Sequence, residues 1–136
     1  IKMKVYHDEG YGVTDTSVEY FKKLKGHLGR IEAIYLDADR TYSMQIESWQ
    51  GKYQTGIEPI TTLLSGVNSG YGGTGPTGTI KIIDLIIHEN SNRSDVHYVL
   101  NNIREDKLSK LKQDIITFEQ LKIKSFFETP VGGFIW

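Results

Sequence analysis

The chain has 136 residues, of which 38% are hydrophobic and 24% are charged, an ordinary mixture for one globular domain. Its formal net charge of −1 at pH 7 argues against a protein that binds extended nucleic acid, because such proteins present a strongly positive surface. Cysteine is absent, which excludes disulfide bonds, thiolate metal sites and a thiol nucleophile.

The first elements of the chain are a predicted strand and a predicted helix. Apolar and polar residues alternate over residues 2–7, which indicates a strand. A helix is predicted to begin near residues 14–16, because Thr-Ser-Val-Glu at 16–19 has the form of a capping box. One face of this helix is apolar and carries Val18, Phe21, Leu24 and Leu28. Gly26 and Gly29 are expected to end it.

Three strands in succession predict an antiparallel β-meander. They are expected over residues 30–37, 41–48 and 52–57. In the second strand, apolar and polar residues alternate, as they do in an antiparallel strand with one buried face. The connections are short enough for hairpins, and Trp-Gln-Gly-Lys at residues 49–52 is expected to form the second turn.

A glycine-rich loop between two helices is predicted next. The first helix is expected to begin at residues 58–60, with proline in its first turn, and to end near Gly66. The loop then runs to Gly78, and Thr77 or Thr79 is expected to cap the second helix. This helix is apolar almost all round, with Ile80, Ile82, Ile83, Leu85, Ile86 and Ile87. A buried strand is the alternative, but the threonine cap and Asp84 favour a helix.

The last third of the chain is predicted to be mainly helical, with a break near residues 105–107. The apolar side of the helix before the break carries Val96, Val99, Leu100 and Ile103. After the break, Leu108, Leu111, Ile115 and Phe118 have the spacing of a coiled-coil seam. We favour packing of this seam within the chain, and a homodimer or higher homo-oligomer through the 108–118 helix is the alternative. Residues 123–127 and 134–136 are candidates for a return to the sheet.

These elements together predict a single α+β domain over residues 1–136, in which an antiparallel β-meander packs against three to five helices. No internal repeat and no disordered tract divides the chain. No apolar run approaches the roughly twenty residues that cross a bilayer, so we expect no membrane partner and a cytoplasmic location.

The glycine-rich loop is the feature of the sequence that points most directly to a ligand. Six of the fourteen glycines fall within residues 66–78. Glycine lets the main chain approach a ligand closely, and a glycine-dense loop before a helix aims several N–H groups at one anion. The loop matches neither the phosphate-binding nor the dinucleotide fingerprint. The density of glycines before a helix nevertheless predicts a phosphate-bearing small molecule as the ligand class. A long turn with no ligand is the alternative.

The predicted ligand-binding residues come mainly from this loop and from the start of the next helix. They are Gly70, Tyr71, Gly72, Gly73, Thr74, Gly75, Thr77, Gly78, Thr79, Lys81, Trp49 and Arg40. The threonine hydroxyls are expected to donate to phosphate oxygens, and Lys81 is expected on the first turn of the helix. Tyr71 or Trp49 would stack on a ring of the ligand, and Arg40 would meet the phosphate as a second contact.

Catalytic chemistry has little support in the sequence. Asp37 and Asp39 form a carboxylate pair after a strand, as in metal-dependent phosphoesterases, but aspartate also favours the turn expected there. The turn interpretation is preferred for this pair and also for Asp8 and Glu9. No two histidines have metal-binding spacing, and no serine lies in a nucleophile elbow. We therefore predict no catalytic residue, no metal site and no cofactor.

The leading functional hypothesis is a non-enzymatic protein that captures a nucleotide-like ligand, to sequester or to sense a nucleotide signal. Two alternatives stay open. The first is a protein–protein interaction module of the inhibitor or immunity type, in which the loop is a recognition loop or an inert turn. The second is a small metal-dependent phosphoesterase that uses Asp37 and Asp39.

Overall fold

The computed structural model describes residues 3–52, 54, 56–91 and 105–124, which form five strands and three α-helices. In chain order the elements are β1 (Lys4–His7), α1 (Thr14–Leu24), β2 (Arg30–Asp37), β3 (Met44–Lys52), β4 (Gly56–Leu64), α2 (Thr74–Ser91), α3 (Glu105–Thr117) and β5 (Gln120–Lys124). A 3-10 turn over Lys25–His27 follows α1. None of the helices in these ranges has the length and apolar character needed to cross a membrane.

The strands form one mixed sheet in the order β1-β4-β3-β2-β5. β2, β3 and β4 pair antiparallel with their neighbours in the chain, and β5 adds antiparallel to β2. β1 instead pairs parallel with β4, so the prediction of an antiparallel meander as the whole sheet is wrong. The arrangement is broadly α+β. Alternation within one strand indicates that a face is buried, but it does not indicate which strand lies alongside or in which direction.

The strand boundaries differ most where the meander meets β4. β2 has its predicted bounds, whereas β3 extends to Lys52 and contains the residues that were expected to form a turn. Trp49 lies inside β3 and pairs with Pro59 of β4. The prediction of a helix that begins at residues 58–60 and ends near Gly66 is therefore wrong, because Gly56–Leu64 is a strand. In β4 the fully buried residues alternate along the strand: Ile60, Thr62 and Leu64. This two-residue period is that of a strand.

The hydrophobic core lies between one face of the sheet and the helices. Its fully buried members include Phe21 of α1, Ile82 of α2, Leu111 and Ile115 of α3, and Ile46, Ile60 and Ile123 of the sheet. α2 contacts both α1 and α3. The other face of the sheet, which we call the open face, carries half-buried polar and aromatic residues such as Tyr35, Gln45 and Glu47.

The helical interpretation of the apolar segment after the loop is confirmed, but the predicted start of this helix is wrong. α2 begins at Thr74, so Gly75 and Gly78 lie inside it. A Cβ atom on Gly78 would lie 2.5 Å from Thr14 Cγ2 and 2.8 Å from Val67 Cγ1. Gly78 therefore allows α2 to pack closely against the start of α1, and this packing outweighs the low helix propensity of glycine.

The predicted apolar face of α1 is confirmed for Val18 and Phe21, which are buried, and for Leu24, which is half-buried. Leu28 is also buried, but it lies beyond α1, after the 3-10 turn. The predicted capping box is not formed: Val13 is the N-cap residue and makes no side-chain cap.

The described part of α3 covers Glu105–Thr117, and the residues before it, which would test the predicted break, lie outside the described residues. Leu111 and Ile115 of the seam are fully buried within the chain, Leu108 is half-buried and Phe118 is 49% exposed, so intrachain packing holds for two of the four seam residues. β5 confirms a return to the sheet near residue 123. The helix predicted before residue 105 and the segment 134–136 lie outside the described residues.

Candidate functional site

The start of α1 and the segment before α2 meet at one edge of the sheet. β1 and β4 are parallel, and each is followed by a glycine-containing segment that leads into a helix. The two segments are bonded to each other: Thr14 Oγ1 donates to the carbonyl of Gly66 at 2.7 Å, and the amide of Gly12 donates to Ser65 Oγ at 3.1 Å. In sheets with parallel strands, the carboxyl edge of those strands is where ligands commonly bind.

Asp8 is the polar centre of this edge. Its side chain is buried and accepts four hydrogen bonds, which use the full acceptor capacity of a carboxylate. Oδ1 accepts from the amide of Gly10 at 2.9 Å and from the Ser65 hydroxyl at 2.8 Å. Oδ2 accepts from the Ser17 hydroxyl at 2.5 Å and from the amide of Ser65 at 2.8 Å. Ser17 Oγ in turn accepts from the amide of Gly66 at 2.8 Å.

These contacts identify Asp8 as an anchor that ties β1, α1 and β4 together. Burial raises the pKa of Asp8, but the hydrogen bonds from Ser17, Ser65 and Gly10 outweigh that effect, so the pKa lies below its ordinary value. The ionised carboxylate is thus the stable form, and its acceptors are already occupied. The predicted turn accounts for the hydrogen bond from Gly10 to Asp8. It does not account for the bonds from Ser17 and Ser65, because the sequence does not show that these residues lie next to Asp8.

Part of the glycine-rich loop is fixed by its own hydrogen bonds. Gly70 has a φ of 100°, and its amide donates to the carbonyl of Ile115 at the end of α3, at 2.9 Å. The amide of Asn68 donates to the carbonyl of Gly75 at 3.4 Å, and Thr79 Oγ1 donates to the carbonyl of Asn68 at 2.7 Å. These donors are therefore already used in hydrogen bonds within the chain.

The next main-chain N–H groups along the loop are not used in this way. The amides from Tyr71 to Gly75 have no acceptor among the described residues. Gly72 and Thr74 are exposed, and Gly73 is half-buried. Because α2 begins at Thr74, these N–H groups stand at the positive end of an 18-residue helix. The geometry therefore presents the amides from Tyr71 to Thr74 to an anion at the surface, whereas Gly75 is buried.

Tyr71 and Asn68 surround the first turn of α2. A Cβ atom on Gly73 would lie 2.6 Å from Tyr71 Cε2, so the ring lies against the backbone there. A Cβ atom on Gly75 would lie 2.1 Å from Asn68 Oδ1 and 2.6 Å from the Tyr71 hydroxyl. Within the described residues, Asn68 Oδ1 and Ser69 Oγ are buried side-chain atoms that have no hydrogen-bond partner.

Several predicted ligand residues are placed where they serve the fold. Gly78 is packed between helices, and Thr79 is fully buried with its hydroxyl bonded to the chain. Both the amide and the hydroxyl of Thr77 donate to the carbonyl of Gly73, at 3.1 and 2.7 Å. Lys81 lies seven residues after Thr74, about 10 Å along the helix axis, so its expected place on the first turn is wrong.

Trp49 is not brought to the loop, and Arg40 lines a groove whose described lining includes no loop residue. Trp49 lies five residues along β3 from Met44, about 16 Å from the edge where the loop begins, and Trp49 Nε1 donates to Glu32. Arg40 belongs to the turn after β2 and lines a groove on the open face of the sheet. Cavities of about 560, 570 and 310 Å3 are lined by residues outside the loop.

The carboxylate pair Asp37 and Asp39 has the geometry of a turn. Asp37 Oδ1 accepts from the amide of Asp39 at 3.0 Å, and Asp37 Oδ2 lies 3.5 Å from Arg40 Nε. This is the local bonding by which aspartate stabilises a turn. Across the part of the chain that the structure describes, no group of three or more histidine, aspartate or glutamate residues is arranged to hold a metal ion.

Comparison with known proteins gives no relative: no family model, no curated protein and no solved structure matches the chain.

Proposed function

We propose that this protein is a non-enzymatic binder of a phosphate-bearing, nucleotide-like small molecule, held at the N-terminus of α2. The observation that carries the proposal is the run of amides from Tyr71 to Gly75, which have no acceptor among the described residues. Such N–H groups, together with the helix dipole, favour a phosphate oxygen. The role would be to sequester or to sense a nucleotide signal, in the cytoplasm.

An orphaned polar atom beside these amides also supports a polar ligand. Buried polar atoms are nearly always hydrogen-bonded, and leaving one without a partner costs roughly 1–3 kcal/mol. Asn68 Oδ1 is such an atom, and it lies beside Gly75 in the first turn of α2. A half-turn of the Asn68 carboxamide would present its NH2 group, a donor to a phosphate oxygen, where Oδ1 now stands.

Tyr71 would recognise the remainder of the ligand. Its ring lies against Gly73 and is still 47% exposed, so one face is open to a planar group. Aromatic stacking on a nucleobase is worth about 1–3 kcal/mol and tolerates every base. A phosphate at the amides and a base on Tyr71 would together distinguish a nucleotide from free phosphate.

The experiment compares two substitutions at Thr74, the first residue of α2, by isothermal titration with mono-, di- and cyclic nucleotides. Thr74→Pro removes the main-chain N–H at a helical position where proline is well tolerated. Thr74→Ala keeps the N–H and removes the hydroxyl. We expect the proline variant to bind at least about tenfold more weakly, because a hydrogen bond to a charged group is worth about 1.5–3 kcal/mol. The alanine variant should lose less.

A folded wild-type protein that binds none of these nucleotides would remove the proposal. If the proline and alanine variants bound the nucleotide with equal affinity, the Thr74 N–H would make no bond to the phosphate, and the phosphate would bind elsewhere. Circular dichroism of both variants is the control for folding, since a disrupted α2 would also abolish binding.

A protein-interaction module is the second candidate, and the exposed apolar residues near the loop favour it. Phe118 is 49% exposed and Ile116 is 38% exposed at the end of α3. The amide of Gly70 is bonded to the carbonyl of Ile115, so these residues and Tyr71 belong to one region of the surface. Capture of a stoichiometric protein partner from the native lysate, lost on Phe118→Ser but retained on Thr74→Pro, would support this candidate over the first.

A further inference from the structure

The open face of the sheet carries a groove of about 560 Å3, and no described residue of the loop or of α2 lines it. We call it the open-face groove; its lining includes Tyr35, Arg40, Tyr42, Glu47 and Lys122. Tyr35 pairs with Gln45 of β3 on one side and with Lys122 of β5 on the other. Directly paired residues share a face of the sheet, so three strands contribute to one wall.

The carboxylates of the open-face groove are already satisfied. Glu47 accepts from Thr61 Oγ1 at 2.9 Å and from Gln45 Nε2 at 2.5 Å. Asp37 accepts from the amide of Asp39 at 3.0 Å, and its other oxygen faces Arg40 at 3.5 Å. Neither carboxylate needs a cation from a ligand.

The cationic side chains of the groove, Arg40 and Lys122, have unused N–H donors. Arg40 meets Asp37 only through Nε, so the N–H groups on its two terminal nitrogens remain, and its side chain is 69% exposed. Lys122 Nζ lies 5.3 Å from the centre of the Tyr35 ring, and no carboxylate in the described residues lies within ion-pair distance of it. Among the charged side chains of the groove, those with unused hydrogen-bonding capacity are therefore the cations.

We propose that the open-face groove is a second binding site, one that takes a small organic anion with a planar ring. Arg40 and Lys122 would bind the anionic group, since both present charged N–H donors. The ring would lie against Tyr35 or Tyr42, which supply the aromatic walls. None of the described residues of the loop or of α2 lines this groove, so its binding groups differ from those proposed at the start of α2.

The test uses benzoate as the charged probe and benzamide as its neutral counterpart, each titrated into 15N-labelled protein and followed by NMR. Benzoate should shift the amide signals of Tyr35, Gln45 and Lys122, and added salt should weaken the effect. Benzamide should bind at least about tenfold more weakly, because it lacks the charge.

Two matched lysine variants make the test specific. Lys122→Gln should weaken benzoate binding about tenfold, whereas Lys23→Gln, an exposed lysine on α1, should leave it unchanged. The spectra report the groove and residues 72–74 separately, so this result is independent of nucleotide binding at α2. Equal binding of benzoate and benzamide, unchanged affinity in Lys122→Gln, or shifts confined to other surfaces would overturn the proposal.

Discussion

The Ser17 hydroxyl donates a hydrogen bond to the buried carboxylate of Asp8, and this bond joins the first turn of α1 to the end of β1. The same serine accepts from the amide of Gly66, just after β4. One hydroxyl thus links the helix to both strands of the parallel pair. The stability of this edge of the sheet should depend on Asp8 and its donors.

Replacement of Asp8 by asparagine should destabilise the protein by about 3 kcal/mol. The new NH2 group would face donors that now point at Asp8 Oδ1 or Oδ2, so at least one buried donor would lose its acceptor. The free energy of unfolding is measured by urea titration. Asp39→Asn, at an exposed turn position, is the matched control and should change it by less than about 0.5 kcal/mol.

The contribution of Asp8 should depend on pH with a defined sign. Its pKa in the folded protein lies below the ordinary value of 3.8, so the unfolded state binds the proton more tightly. The stabilisation is then complete above pH 3.8 and is lost as the pH falls through the lower, folded-state pKa. The difference in unfolding free energy between wild type and Asp8→Asn should stay constant near neutral pH and shrink in acid. A difference that grows on acidification contradicts this assignment.

Two glycine substitutions should separate packing from ligand access. Gly78→Ala should destabilise the fold by about 1–2 kcal/mol, because overpacking against Thr14 and Val67 exceeds the roughly 1 kcal/mol gain in helix propensity. A Cβ atom on Gly72 would meet nothing within 4 Å, so Gly72→Ala should leave stability within about 0.5 kcal/mol of wild type. Thermal unfolding checks both, and a destabilised Gly72→Ala would show that residue 72 is constrained by the fold.

The ring of Tyr71 should matter for a nucleotide and not for phosphate alone. Tyr71→Ala should weaken nucleotide binding by at least about tenfold through lost stacking, while Tyr71→Phe should retain most of the affinity. Inorganic phosphate should bind all three proteins with equal affinity. Isothermal titration makes the comparison, and a large effect of Tyr71→Phe would assign the contribution to the hydroxyl.

The seam on α3 should stabilise the single chain. Ile115→Ala should cost about 2–5 kcal/mol, because Ile115 is fully buried in the core. Ile116→Ala, at the neighbouring half-exposed position, should have a small effect. Unfolding measured over a range of protein concentrations checks the interpretation: a transition that moves with concentration would show that copies of the chain associate through this helix.

The sequence was informative where a segment's own pattern determines its structure. β2 has its predicted bounds, and the apolar face of α1 with Val18 and Phe21 is buried as expected. The apolar run from Ile80 is helical, as predicted. In each case the spacing of apolar residues within one element indicates both its type and its buried side.

The remainder depends on contacts between distant parts of the chain. Asp8 is bonded to side chains 9 and 57 residues away, Ser17 and Ser65, and no local pattern relates these three positions. The start of α2 was misplaced because glycine signals a loop, whereas close packing at Gly78 holds it in a helix. Arg40 was assigned to the loop site because of its charge. The sequence does not show that Arg40 follows β2, which β3 separates from β4 in the sheet.

The parallel pairing of β1 has a consequence for the order of folding. Lys4 pairs with Ile60, 56 positions later, whereas β2, β3 and β4 close through short hairpins. Local hairpins form faster than pairings between distant segments, because closing a long loop costs more entropy. As the chain leaves the ribosome, β1 emerges first among the described strands. It therefore has no pairing partner until β4 has been synthesised.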